Sequence, residues 1–378
     1  MRILIAPDAF AGTLGAAQAA EAIAEGWRRM SPDDELDLAP LSDGGPGLVE
    51  VLAAALPDAG LHAVTVQDPL GRPVTASFLL DGATAYVESA QACGLHLVVE
   101  RDPTTTTTYG VGQLLAAALA AGATRVVVGL GGSSTNDGGA GLLAALGVQR
   151  TDATGHRLAP GGLALGDVAR LDGWPLRDDH RLDGVELVAA TDVDAPLLGL
   201  LGASSVFGPQ KGATREQVLT LDAALTRWAD VLEPHCGRVL RDLPGAGAAG
   251  GLGAALYALG ARREPGITLV QRLVGLEARV AQADLVLTGE GTFDATSLTG
   301  KVVSGVAAMA GAHAIPCVVL AGQVRVGRRE AAAHGVEAEH AVADLVGLDR
   351  ALERPADGLA QLAQRVAQQW SRGAGPHT

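Results

Sequence analysis

Two apolar patterns alternate along the chain. Short, nearly continuous apolar runs predict buried strands, and apolar residues spaced three and four apart predict helices. Residues 2–7 read as a buried strand ending in Asp8, followed by a helix over 15–29. Residues 35–40 read as a second strand; Ser42, Asp43 and three glycines interrupt it before a helix over 48–55. Two parallel strands joined by a right-handed crossover follow from this βαβα opening. The C-terminal part has the same rhythm: strands at 283–288, 316–321 and 337–342, with helices over 302–312, 328–334 and 358–369.

Five strands contributed by both chain ends suit a doubly wound parallel sheet of order 2-1-3-4-5. The loops after its first and third strands then meet where such sheets bind ligands. Those loops carry Asp8, Glu290 and Asp294. The pattern changes in the middle. Residues 63–66 and 74–78 around Gly71-Arg72-Pro73 read as a hairpin, with 84–88 beside it. Strands at 125–130 and 186–190 and a long helix over 215–232 follow. The expectation is an α/β protein: a flavodoxin-like domain from 1–62 and 281–378, with an inserted α/β domain over 63–280 carrying the glycine-rich loops.

Composition narrows the function. The 378 residues are 48% hydrophobic and only 3% aromatic, so Ala, Val and Leu must build the core. A net charge of -14 argues against nucleic-acid or anionic-membrane partners, and makes an anionic substrate depend on local positive charge. No apolar run approaches a membrane span, the N-terminus does not read as a signal peptide, and the three cysteines form no CxxC pair. A cytoplasmic enzyme is expected. The nine histidines form no HExxH pattern.

The most distinctive stretch is Gly131-Gly132-Ser133-Ser134-Thr135-Asn136-Asp137-Gly138-Gly139, between a strand and a helix. Its glycines permit close backbone approach and its polar side chains suit a small, hydroxylated anion. The competing reading is a tight turn whose Ser, Asn and Asp cap the helix. Thr191-Asp192-Val193-Asp194 ends a strand, and two carboxylates there suit Mg²⁺ or proton abstraction. The chain has two lysines, Lys211 after Gln210 and Lys301, each beside glycine where Arg has replaced Lys elsewhere. Residues 104–108 are five threonines before a helix; they read equally as an anion site or a capped start. Residues 245–250 match GxGxxG without a preceding strand, so they are a weak dinucleotide fingerprint or a packing turn. No GxxxxGK[ST] or GxSxG stretch occurs.

Taken in order, APDAF, SDGG, TTTTYG, GLGGSSTNDGGAG, TDVDAPL, FGPQKGAT, DLPGAGAAGGLG and TGEGTFDATSLTGK span residues 6–301, and together they resemble the class I glycerate kinase family. The resemblance implies two α/β domains with the site in the cleft between them, and ATP- and Mg²⁺-dependent phosphorylation of D-glycerate, with 2-phosphoglycerate favoured. Asp192 or Asp194 would take the hydroxyl proton or hold Mg²⁺, and Lys211 would neutralise the moving phosphoryl group. Asp8, Asp43, Gly44, Ser133, Ser134, Asn136, Asp137, Gln210, Glu290, Asp294 and Lys301 would bind substrate or nucleotide. Ala11, Pro46, Ala195 and Thr292 depart from the family pattern; in their places lysine, glutamate, asparagine and arginine are usual. An NAD(P)-dependent oxidoreductase using residues 245–250, and a non-catalytic glycerate-binding relative, are the alternatives.

Overall fold

The computed structural model describes residues 1–10, 12–174, 182–298 and 302–371. Ala11 and Lys301 lie outside them. The chain divides into two compact units: residues 1–43, 50–56 and 267–378, and residues 44–49 and 57–266. The sequence pattern put the corresponding boundaries at 63 and 280.

The first unit is a five-stranded parallel sheet. In chain order its strands are Arg2–Ile5, Glu35–Leu38, Leu285–Thr288, Cys317–Ala321 and Ala338–Ala341, and across the sheet they run 2-1-3-4-5, as the pattern predicts. Leu285–Thr288 and Cys317–Ala321 are wholly buried, which is why they read as continuous apolar runs. Helix Ala16–Arg28 packs on helix Pro355–Trp370. Gly26 allows that contact, since a Cβ there would lie 1.9 Å from the Ala360 carbonyl oxygen.

The second unit is built on a six-stranded mixed sheet. Its order is Arg262–Glu264, Glu186–Ala190, Arg125–Gly129, Thr84–Glu88, Pro73–Asp81 and Gly60–Gln67. The last two strands form the expected antiparallel hairpin, extended at both ends. The first four are parallel. Helix Arg215–Cys236 begins with a capping box at Thr214 and buries Leu225, Trp228 and Leu232 in the core. Arg262–Glu264 and the short pair Gln149–Thr151 and Arg170–Asp172 had no clear signal, because three residues carry too little periodicity.

Candidate active site

In the second unit, Glu88, Gly129 and Ala190 end three neighbouring parallel strands in register. The chain leaves all three at the same edge, the side on which open α/β sheets bind ligands. Residues 44–49 lie over this edge. Gly44, at φ +91°, would put a Cβ 3.3 Å from the Ala190 oxygen, and Gly131 would put one 2.6 Å from the Gly45 Cα. Two backbones therefore meet where neither can carry a side chain. The ring of Pro46 stacks on Gly132 in the same place. Glu88 is buried at this edge and accepts from the Val49 N–H at 3.3 Å. It escaped the sequence reading, although an acidic residue closing an apolar strand was a signal for it.

The Gly131–Gly139 turn faces inward. Asp137 is fully buried and accepts from the N–H groups of Thr108, Gly139 and Gly141 at 2.8–3.1 Å, and from the hydroxyls of Thr107 and Thr108. It thus joins two motifs of the sequence, the threonine run and the glycine-rich turn, and satisfies amides at the starts of two helices. Ser134 donates to the Cys93 carbonyl at 3.0 Å. Asn136 donates to Ser204 Oγ at 2.9 Å and keeps a buried Oδ1 without a hydrogen-bond partner. The helix after the turn, Ala140–Ala145, has only six residues. The capping reading thus describes Asp137, whose oxygens serve protein groups.

Lys211 is tied to the same turn. Its side chain is buried, and Nζ donates to Ser133 Oγ at 2.9 Å and to the Thr135 carbonyl at 2.7 Å. Burial pulls its pKa down to about 8, against the pull of Cys93 and Asp137 in the other direction. The same burial pushes the Cys93 thiol up to about 12. The sequence reading gives Lys211 the task of neutralising a moving phosphoryl group; in the structure its two hydrogen bonds hold the serine-rich turn together. Its neighbour Gln210 is exposed, and the Gln210 carbonyl accepts from Arg101 at 3.0 Å.

Asp192 and Asp194 follow the Ala190 strand end, but their surroundings differ. Asp194 is largely exposed and paired with Arg263 Nη2 at 2.7 Å. Asp192 is half-buried beside Thr191, whose N–H is bonded to the Glu264 carbonyl. Residues 245–250 show no preceding strand, and they close on the Gly131–Gly139 turn. A Cβ at Gly250 would lie 1.9 Å from the Thr135 oxygen. Gly138 N–H bonds to the Gly250 carbonyl at 3.0 Å. Ala249 adopts φ +50°, a left-handed conformation costly for a residue with a Cβ. This glycine match is a packing device, and a dinucleotide has no strand-turn-helix cradle there.

In the first unit, a cavity of about 460 Å³ opens at the carboxyl ends of the central strands. Asp8, Asp43, Glu290 and Asp294 all line it, with Thr13 and Gln323. The backbone brings the first and third strand loops together: Asp8 N–H bonds to the Gly289 carbonyl at 2.8 Å. Asp294 Oδ1 accepts from the N–H and hydroxyl of Thr296. Thr292 also lines the cavity, on a two-residue strand paired with Gln323–Val324. Among the described residues no three His, Cys, Asp or Glu side chains are grouped as a metal cage. No described helix is long and apolar enough to cross a membrane.

A family model described as the glycerate kinase family matches residues 3–371. A glycerate kinase of Bacillus subtilis is 43% identical over 373 residues, covering 97% of each chain. A glycerate 2-kinase of Escherichia coli is 41% identical, again covering 97% of each chain. The crystal structure of a Salmonella typhimurium LT2 protein assigned as glycerate kinase 2 superposes with a TM-score of 0.80 at 42% identity, covering 99% of both chains. The match runs through both units and through every motif described above, and on that evidence the chain belongs to the glycerate kinase family, as an enzyme of that kind.

Proposed function

We propose that this enzyme transfers the γ-phosphoryl group of ATP to D-glycerate, releasing ADP and 2-phosphoglycerate, and that it works in the cytoplasm. The near full-length identity to a glycerate 2-kinase is the observation that carries this reading. Three free cysteines fit a reducing compartment.

Phosphoryl transfer is mainly positioning and charge stabilisation. Mg²⁺ is bound by one or two carboxylates together with phosphate oxygens, so the lack of a three-residue cage does not count against it. The hard oxygen donors of Asp8, Asp43, Glu290 and Asp294 fit that ion, and bound Mg²⁺ would offset the charge of the polyphosphate. Asp192 is the better candidate for taking the proton of the glycerate hydroxyl, since the Asp194 carboxylate is held by Arg263. Lys211 acts by orienting Ser133 and the Thr135 carbonyl, which keeps the glycine-rich backbone in a single arrangement.

The test is ADP release measured with D-glycerate, glycolate and tartronate, with the product identified by its reactivity toward an enolase, which takes 2-phosphoglycerate directly. ADP formation only with D-glycerate supports the reading. Glycerate binding without ADP release would point to a non-catalytic relative, and tight NAD binding would revive the oxidoreductase reading.

A further inference from the structure

The cavity of the first unit has two unlike kinds of lining. Beside its four carboxylates it is walled by Phe10, Val342, Leu348, Ala351, Leu352 and Pro355. The carboxylates come from the loops after the second, first and third strands, whereas five of the six apolar residues follow the fifth strand. The strand order 2-1-3-4-5 therefore puts acid toward one end of the cavity and apolar side chains toward the other. Phe10, Val342 and Ala351 belong to the buried core of this unit.

Leu348 and Leu352 do not. They remain 46% and 55% exposed, although both line the cavity. Helix Leu348–Glu353 carries Leu348, Ala351 and Leu352 at i, i+3 and i+4, which is one face. Its Asp349, Arg350 and Glu353 are exposed to solvent. The face that anchors the helix through buried Ala351 thus also offers two leucines to the cavity. A single exposed leucine is ordinary, but two on one helix face beside a concave apolar lining form a surface that gains by being covered.

Of the two substrates of the proposed reaction, D-glycerate carries an oxygen on every carbon and has no apolar part to cover it. A nucleoside triphosphate has both parts, a polyphosphate that travels with its metal ion and a flat, largely apolar base. The volume of about 460 Å³ lies in the range of cofactor sites. Thr13, Thr292 and Gln323 are the uncharged polar side chains of the lining, so apolar contact carries most of the hold on a base.

We propose that the apolar end of this cavity seats the nucleobase of the phosphoryl donor against Leu348 and Leu352, with the polyphosphate toward the carboxylates. The inference rests on the kinase reading with ATP as donor, and adds to it the residues that hold the base.

The experiment uses the full chain and measures binding of MgADP and, separately, of magnesium tripolyphosphate, which lacks the base. The proteins are the wild type, the double variant Leu348→Gln with Leu352→Gln, and Leu219→Gln, at an exposed leucine of the second unit. Glutamine is neutral and a good helix former, so it leaves the field at the carboxylates and the helix intact. The expected result is an MgADP dissociation constant raised at least tenfold in the double variant. Tripolyphosphate binding, melting temperature and KM for D-glycerate should stay unchanged, and Leu219→Gln should match the wild type throughout. Unchanged MgADP affinity in the double variant, an equal weakening of MgADP and tripolyphosphate, or the same loss in Leu219→Gln overturns the inference and leaves the kinase reading standing. A wild type that neither binds MgADP nor releases ADP with D-glycerate overturns the kinase reading and this inference together.

Discussion

Lys211 reaches Ser133 across 78 residues of sequence, its buried Nζ donating to the serine Oγ at 2.9 Å. A second bond to the Thr135 carbonyl leaves the ammonium facing protein rather than solvent. The lysine that the sequence marks as rare is therefore tied to the turn that the sequence marks as distinctive.

That arrangement has a pH signature. Burial lowers the folded-state pKa of Lys211 from 10.5 to about 8. Below pH 8 the ammonium is charged in both states, and folding carries the full cost of burying it. Between about pH 8 and 10.5 the unfolded chain binds more protons than the folded one, so this group's contribution to stability rises with pH. Cys93 and Cys317, pushed up to about 12 from 9.0, act oppositely over about pH 9–12, since only the unfolded thiols ionise there. The expected outcome is that the alkaline change in urea-unfolding free energy is less favourable in Lys211→Met than in the wild type. Identical pH profiles would mean that Lys211 titrates normally.

Asp137→Ala should be among the most destabilising single changes in the second unit. It strips the acceptor from three buried N–H groups and two hydroxyls. A loss of about 3–5 kcal/mol in chemical denaturation is expected, the range for removing one member of a buried charged network. A loss below about 1 kcal/mol would show that water replaces the carboxylate.

Gly250→Ala and Gly155→Ala separate close approach from backbone conformation. Both glycines have positive φ, +70° and +90°. A Cβ at Gly250 meets the Thr135 oxygen at 1.9 Å, while nothing lies within 4 Å of one at Gly155. Gly155→Ala should cost about 1 kcal/mol, the conformational penalty alone. Gly250→Ala should cost about 3 kcal/mol or more, because two backbone segments must separate. Equal melting temperatures would contradict the packing of residues 245–250 on the Gly131–Gly139 turn.

Asp192→Asn and Asp194→Asn should differ in turnover. Removing a general base slows a reaction by about 10²-fold or more. That loss is expected for Asp192→Asn, whereas Asp194→Asn, which only weakens an exposed pair with Arg263, should stay within a few fold. The kcat values of the two purified variants decide it, and a severe loss in Asp194→Asn with an active Asp192→Asn would reverse the assignment.

Local periodicity and chain order carry part of the architecture on their own. The buried strands of the first unit are continuous apolar runs, so the strand order 2-1-3-4-5 was legible, as was the hairpin of Gly60–Gln67 and Pro73–Asp81 around its Gly-Arg-Pro turn. The ordered glycine and carboxylate motifs were enough for the family resemblance. Which way the polar side chains face is set instead by what packs against them. Asp137, Asn136 and Lys211 carry the same chemistry whether they serve a ligand or each other, and that choice is made by contacts 29 to 78 residues apart. The same holds for Gly250, whose need for glycine comes from a carbonyl 115 positions earlier in the chain. Local pattern reports what a segment can become, but burial and hydrogen-bond pairing are properties of what packs against it.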